Sequence, residues 1–162
     1  MTLTTHAVVG AAVASLLPSE PTLALCAAFA SHFLVDAIPH RDYSIHSASV
    51  NPKIGAPMKF DRALVRDTVV IGGDALLGIL LALLFFATPQ NVLLIFFAAC
   101  VGILPDPLQF VYAHFPREPL AALYRFHQWI HTSYRLKDAP LLGIFSQTAF
   151  LVLVVVGAKY LS

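Results

Sequence analysis

Two pairs of residues spaced four apart, His32 with Asp36 and His127 with His131, carry the plainest chemical signal in this chain. A helix stacks residues i and i+4 on one face, so each pair can aim two ligand atoms at one ion. Imidazole nitrogen with carboxylate oxygen suits zinc, and also manganese or iron. His6 and Asp106 are of the same ligand type, and the resulting set of six groups, His6, His32, Asp36, Asp106, His127 and His131, exceeds one tetrahedral site. Such a set suits a two-metal cluster that activates water for phosphoester hydrolysis. In that scheme a carboxylate, from Asp36, Asp106 or Asp74, is the base, while Arg41, Arg125 or Arg135 holds a phosphate beside the metal.

Each piece also has a plainer use. A His at a helix start serves as a cap or interface residue, a His-Asp pair at i, i+4 orders a helix end, and His127 with His131 fits an amphipathic interface segment. His46 and His114 have no patterned neighbour and read as solvated loop residues. Asp74 differs, because it lies inside an apolar run next to Gly72 and Gly73, which allow close helix approach. An ionisable group at that depth costs a few kcal/mol and defaults to function. The alternative is a protonated or internally paired carboxylate that fixes packing. Other templates fail: there is no Gly-x-Ser-x-Gly elbow, glycine-rich phosphate loop or His-Glu-x-x-His. Adjacent helical residues diverge by about 100°, so Ser31 and His32 cannot form a relay.

The elements that must position these groups follow from hydropathy. Of the 162 residues, 58% are apolar and 12% charged, and the mean hydropathy is +0.76, far from soluble usage. Apolar runs at about Thr5–Leu17 and Thr22–Ile38 are separated by Pro18-Ser19-Glu20-Pro21. Each is roughly 25 Å as a helix, a thin spanning hairpin or a deeply inserted one. Further runs cover about Asp67–Ala87, Val92–Leu104 with an ending or kink at Pro105-Asp106-Pro107, and Leu141–Tyr160. The aromatic-basic stretch Leu123–His131 reads as a short helix at the interface. The expected fold is a single all-α domain over residues 1–162, an integral membrane bundle of about five membrane-embedded helices plus that short interfacial helix. The small-x-small pattern Ala28-Phe29-Ala30 resembles a cleavage site, but no Lys or Arg precedes the run and Pro18 interrupts it, so it reads as mature structure.

A net charge of +1 gives no field to attract nucleic acid, which is not expected as a partner. Membrane lipid is. Basic residues gather in two loops, Arg41, Lys53, Lys59, Arg62 and Arg66 in one, Arg117, Arg125, Arg135 and Lys137 in the other. The positive-inside tendency then puts both loops and the N-terminus in the cytoplasm and Ser162 outside, with every predicted ligand at the cytoplasmic rim. Cys26 and Cys100 each sit in an apolar run and read as small buried hydrophobes.

Several short motifs resemble the YdjM-like family of inner-membrane proteins, which are assigned as metal-dependent hydrolases. They are Thr5-His6-Ala7-Val8-Val9-Gly10, Gly102-Ile103-Leu104-Pro105-Asp106 and the late segment ending His131-Thr132-Ser133. Ser31-His32-Phe33-Leu34-Val35-Asp36-Ala37-Ile38-Pro39-His40 resembles the second-helix signature of one branch. The resemblance implies kinship with zinc-dependent phospholipase C and the fungal single-strand nucleases, whose His-x3-Asp pairs help hold a metal cluster, as His32 and Asp36 would here. Two departures stand out: the usual Pro-Asp-x-Asp is Pro105-Asp106-Pro107-Leu108, and His127 and His131 are one residue closer than the family's late histidines. The expected function is hydrolysis of a phosphoester of a lipid or lipid-linked substrate. A small transporter with Asp74 and Asp106 on its path, or a non-catalytic metal-binding or scaffold protein, is the alternative.

Overall fold

The computed structural model describes residues 1–44, 60–132 and 140–161, and among them it contains seven helices and no strand. Helix α1 (Leu3–Ser15) starts at the Thr2 side chain, which accepts from the Thr5 amide, and stops short of Pro18. Helix α2 (Pro21–Asp36) takes Pro21 in its first turn and ends before Pro39. Helix α3 (Arg62–Phe86) is capped by Asp61, whose Oδ1 accepts from the Leu64 amide at 3.0 Å. The Pro105 region splits the next run into α4 (Val92–Ile103) and α5 (Pro105–His114), bent by 45°. Helix α6 (Leu120–Ile130) and helix α7 (Pro140–Leu161) complete the chain.

Helix α1 is the axis of the bundle. It is apolar all round, ten of its thirteen residues are buried, and α2, α3, α4 and α7 pack around it. Its small residues Ala7, Ala11 and Ala14 meet Ala82, Ala98 and Ala99 in one core. Close approach falls on different glycines from the expected Gly72 and Gly73, neither of which has anything within 4 Å of an added Cβ. A Cβ on Gly78 would lie 2.6 Å from the Thr4 Cα, and one on Gly102 2.7 Å from the His6 carbonyl. These two positions seat the start of α1 against α3 and α4.

The membrane expectation is coarser in the structure than in the sequence. Two helices, α3 and α7, are long and apolar enough to cross a membrane, and three if the bent α4–α5 pair is one span, fewer than the five expected. Helices α1 and α2 have 13 and 16 residues, about 20 and 24 Å at the helical rise, short of a hydrocarbon core about 30 Å thick. Prolines set those lengths, since Pro18 and Pro39 each end a helix that hydropathy alone would extend. Val69 (67% exposed) and Leu84 (74%) on α3, with Phe145 (72%) and Leu153 (72%) on α7, form outward apolar faces consistent with a membrane protein. Trp129, 79% exposed on α6, fits an interfacial position.

Candidate metal centre

Asp36, buried in the last turn of α2, is the hub of the site. Its Oδ1 lies 2.8 Å from the Met1 amino nitrogen, 3.2 Å from His6 Nε2 and 3.7 Å from His40 Nε2. Its Oδ2 lies 2.9 Å from His127 Nε2, 3.3 Å from His32 Nε2 and 3.9 Å from His131 Nε2. Helix ends deliver all of these groups to one end of the bundle. His6 comes from the first turns of α1, His32 from one turn before Asp36, and His127 from the last turn of α6, with His131 just beyond it. The bend at Pro105 starts α5 so that Asp106 Oδ1 reaches 3.6 Å from His32 Nε2.

Hydrogen bonds to backbone carbonyls place a proton on Nδ1 of three imidazoles. His32 Nδ1 faces the Gly102 carbonyl at 2.8 Å, His40 Nδ1 the Ile38 carbonyl at 2.7 Å, and His131 Nδ1 the Thr132 carbonyl at 3.0 Å. A carbonyl only accepts, so each Nδ1 carries the proton and donates. In a neutral ring the Nε2 of His32 and of His131 then presents a lone pair toward nearby carboxylate oxygens, whereas His40 Nε2, 2.7 Å from Asp42 Oδ1, donates a hydrogen bond to it. Lone pair against carboxylate is repulsive unless a cation or a proton lies between them. Metal-bound histidines are held in this way, with the remote nitrogen donating to a carbonyl or carboxylate.

Unpartnered nitrogens sharpen the same point. Both ring nitrogens of His6, Nε2 of His32 and Nδ1 of His127 are buried and make no hydrogen bond. Buried polar atoms ordinarily find partners, because leaving one unsatisfied costs on the order of 1–3 kcal/mol. Ligand atoms of His32, Asp36, Asp106 and His127 lie within 4.8 Å of one another, and those of Asp36, His40 and His131 form a second such group that shares Asp36. The donor set fits a divalent ion that takes N and O ligands, and its makeup does not select among zinc, manganese and iron. His6 belongs to neither group of ligand atoms, but its ring stacks on His32 with centroids 3.8 Å apart.

One member of the second position, His40, and its neighbour Asp42 were not among the ligands expected from sequence. His40 follows Asp36 by four residues, the same spacing as the recognised pairs, but Pro39 ends the helix and hides the repeat. Asp42 has no periodic signal; its Oδ1 sits 2.7 Å from His40 Nε2 and 3.8 Å from His131 Nε2. Burial raises the Asp42 carboxyl, but the hydrogen bond to His40 and the nearby amino terminus outweigh it and hold it below its ordinary range. Burial lowers the His131 imidazole and so favours the neutral form that ligates metal.

The other expected site residues lie elsewhere or outside the described residues. Asp74 stands in a separate network. Its Oδ2 accepts from the Thr4 amide at 2.9 Å and from the Tyr43 hydroxyl, and its Oδ1 accepts from Thr4 Oγ1 at 2.8 Å. Burial first, and the bond to Asp74 next, push the Tyr43 phenol above its ordinary range, so it stays a donor. Arg125 Nη2 donates to Glu118 Oε1 at 2.9 Å, with both side chains exposed. Arg41 adjoins the cluster between His40 and Asp42, whereas Arg135 and His46 fall outside the described residues. His114 sits in the last turn of α5, with Nδ1 2.9 Å from the Phe110 carbonyl.

Comparison with known proteins adds no family: no family model matches the chain, and neither a curated protein nor a solved structure matches it.

Proposed function

We propose that this chain is a membrane-bound, metal-dependent hydrolase of the YdjM-like kind that its motifs resemble, acting on a phosphoester of a lipid or lipid-linked substrate. One observation carries the reading: three imidazoles donate Nδ1 to backbone carbonyls and turn Nε2 toward Asp36, Asp106 and Asp42. His32, Asp36, Asp106 and His127 would hold one divalent ion, most simply zinc, and Asp36, His40 and His131 a second, with His6 stacked behind His32. An ion held by these residues would supply Lewis acidity toward a phosphoryl oxygen and would lower the pKa of water beside it. Asp106, 28% exposed, is the carboxylate best placed to take a proton from an incoming water.

The membrane arrangement belongs to the same proposal. Helices α1 and α2 are embedded beside the longer α3, α7 and bent α4–α5, α6 lies at the interface, and the cluster end with both basic loops faces the cytoplasm. The gathering of Met1, His40 and His127 around Asp36, with Asp106 beside His32, supports a shared side for those loops.

Metal content of purified protein tests the core of the proposal. Stoichiometric zinc, manganese or iron that survives dialysis is expected, together with phosphate release from phosphatidic acid in mixed micelles that stops with chelator and returns with metal. Protein that holds no metal at neutral pH, and whose melting temperature ignores added zinc and manganese, would remove the hydrolase reading. Single-cysteine labelling with an impermeant reagent at Ser49 and Ser162 tests the orientation; labelling at Ser49 alone in intact cells reverses it.

A further inference from the structure

Helices α3 and α7 both pack on α1 but not extensively on each other. At one end they meet, with Lys159 Nζ 5.7 Å from the Phe86 ring centroid. At the other end they part around a cavity of about 360 Å³. Arg41 and Arg66 line its polar side with Asp42, and Val70, Ile71 and Ile144 line its apolar side. The lining also holds two acidic residues, Asp42, which is engaged with His40, and Asp67, which is buried; Arg66 and Asp67 each have partners of their own.

Three features of this cavity specify what it takes. Two arginines in the lining, Arg41 and Arg66, carry the guanidinium donors that match a phosphate's oxygens. Val70 and Ile144, each 54% exposed, belong to the two helices long and apolar enough to cross a membrane, so an acyl chain still in the bilayer can abut the apolar wall. Asp42 connects the cavity to the cluster, since it lines the cavity while its Oδ1 lies 2.7 Å from His40 Nε2 and 3.8 Å from His131 Nε2.

We propose that this cavity is a lateral entrance for a bilayer-resident amphiphile bearing a terminal phosphate, held by Arg41 and Arg66 while its chain lies against Val70, Ile71 and Ile144. The inference deepens the hydrolase proposal by naming its substrate class and rests on it for the chemistry, but not for the binding. Arg66 enters here as a recognition residue alongside Arg41.

Native mass spectrometry of the detergent-solubilised full chain tests it, with dioleoyl phosphatidic acid, dioleoyl phosphatidylcholine and inorganic phosphate as probes. The phosphatidic acid is expected to be retained over the phosphatidylcholine. The Arg41→Gln, Arg66→Gln double variant should retain it roughly tenfold less or worse, with metal content unchanged. Ile144→Trp, which fills the apolar wall without touching charge, should weaken retention as well and guards against a misfolded double variant. Equal retention of the two lipids, equal retention by the double variant, or displacement of the lipid by inorganic phosphate alone would overturn the entrance. The two proposals fail separately: retained lipid with no turnover sinks the hydrolase and leaves the entrance, whereas metal-dependent turnover indifferent to both arginines does the reverse.

Discussion

Asp36 and Asp74 are both carboxylates set among apolar helices, and their surroundings assign them different work. Around Asp74 the donors and acceptors balance: the Thr4 amide, the Thr4 hydroxyl and the Tyr43 hydroxyl all donate to it, and Tyr43 in turn accepts from the Leu3 amide at 2.7 Å. Around Asp36 the Met1 amino group and His127 Nε2 bond one oxygen each, but four further imidazoles crowd the same carboxyl group at 3.2 to 3.9 Å, and both nitrogens of His6 and Nε2 of His32 have no hydrogen bond. A balanced buried carboxylate fastens helices together. One surrounded by more imidazoles than it can bond, with buried nitrogens left over, is a place for a cation. Depth in an apolar helix is common to both and therefore discriminates nothing; the state of the neighbouring nitrogens does.

The largest effect expected is from Asp36→Asn, because both ligand groups share that residue. It should empty both positions, so that metal analysis reads near zero and chelator-sensitive turnover disappears. Retention of even one tightly held ion in this variant would show that Asp36 is not the hub. His32→Ala should lose much of the metal by itself, and its loss and that from Asp36→Asn should fall short of additive, because groups on one ion are coupled.

Somewhat smaller effects should separate the two positions. His127→Ala removes a ligand of the first group alone and His40→Ala a ligand of the second alone. Each should therefore lower metal stoichiometry by about half of what Asp36→Asn removes. If His40→Ala leaves the stoichiometry untouched, the second position is a hydrogen-bond cluster of the Asp74 type.

Asp74→Asn breaks the comparison from the other side. It weakens the bonds that hold the start of α1 to α3 and to Tyr43, at a cost of about 1–3 kcal/mol, visible as a lower melting temperature. Metal content should not change. Loss of metal without loss of stability would place Asp74 in the cluster's working set, as its depth in the sequence suggested.

How far the site could be seen in the sequence follows from the same contrast. The pairs His32–Asp36 and His127–His131 were visible because helical spacing is local, and Pro39 and Pro105 marked the end of α2 that carries the first pair and the start of α5 that carries Asp106. His40 and Asp42 lie past Pro39 in extended chain, where no period marks a face, so only the tertiary fold could join them to His131. The partner of Asp74 is likewise non-local: Thr4 and Tyr43 stand 70 and 31 residues away. Helix identity was legible from hydropathy and prolines, but the number of spans was not. Hydropathy counts apolar residues, whereas spanning requires an unbroken length that α1 and α2 do not reach.

The smallest effect expected concerns Arg125, a residue whose type suggested phosphate binding. Its guanidinium is bound to Glu118 in the open, with the side chains 65% and 61% exposed, and exposed pairs of this kind contribute little. The hydrogen bond from Arg125 draws the Glu118 carboxyl below its ordinary value of 4.5. A carboxyl depressed in the folded state adds stability that is present above that ordinary value and is lost as pH falls through the lower, folded-state value. Arg125→Gln should accordingly lower the melting temperature slightly at neutral pH, and the difference from the parent protein should shrink once Glu118 is protonated in acid. Metal content and phosphatidic acid retention should match the parent throughout. A loss of lipid retention or of metal-dependent turnover in Arg125→Gln would instead move α6 into the substrate site and displace the entrance between α3 and α7.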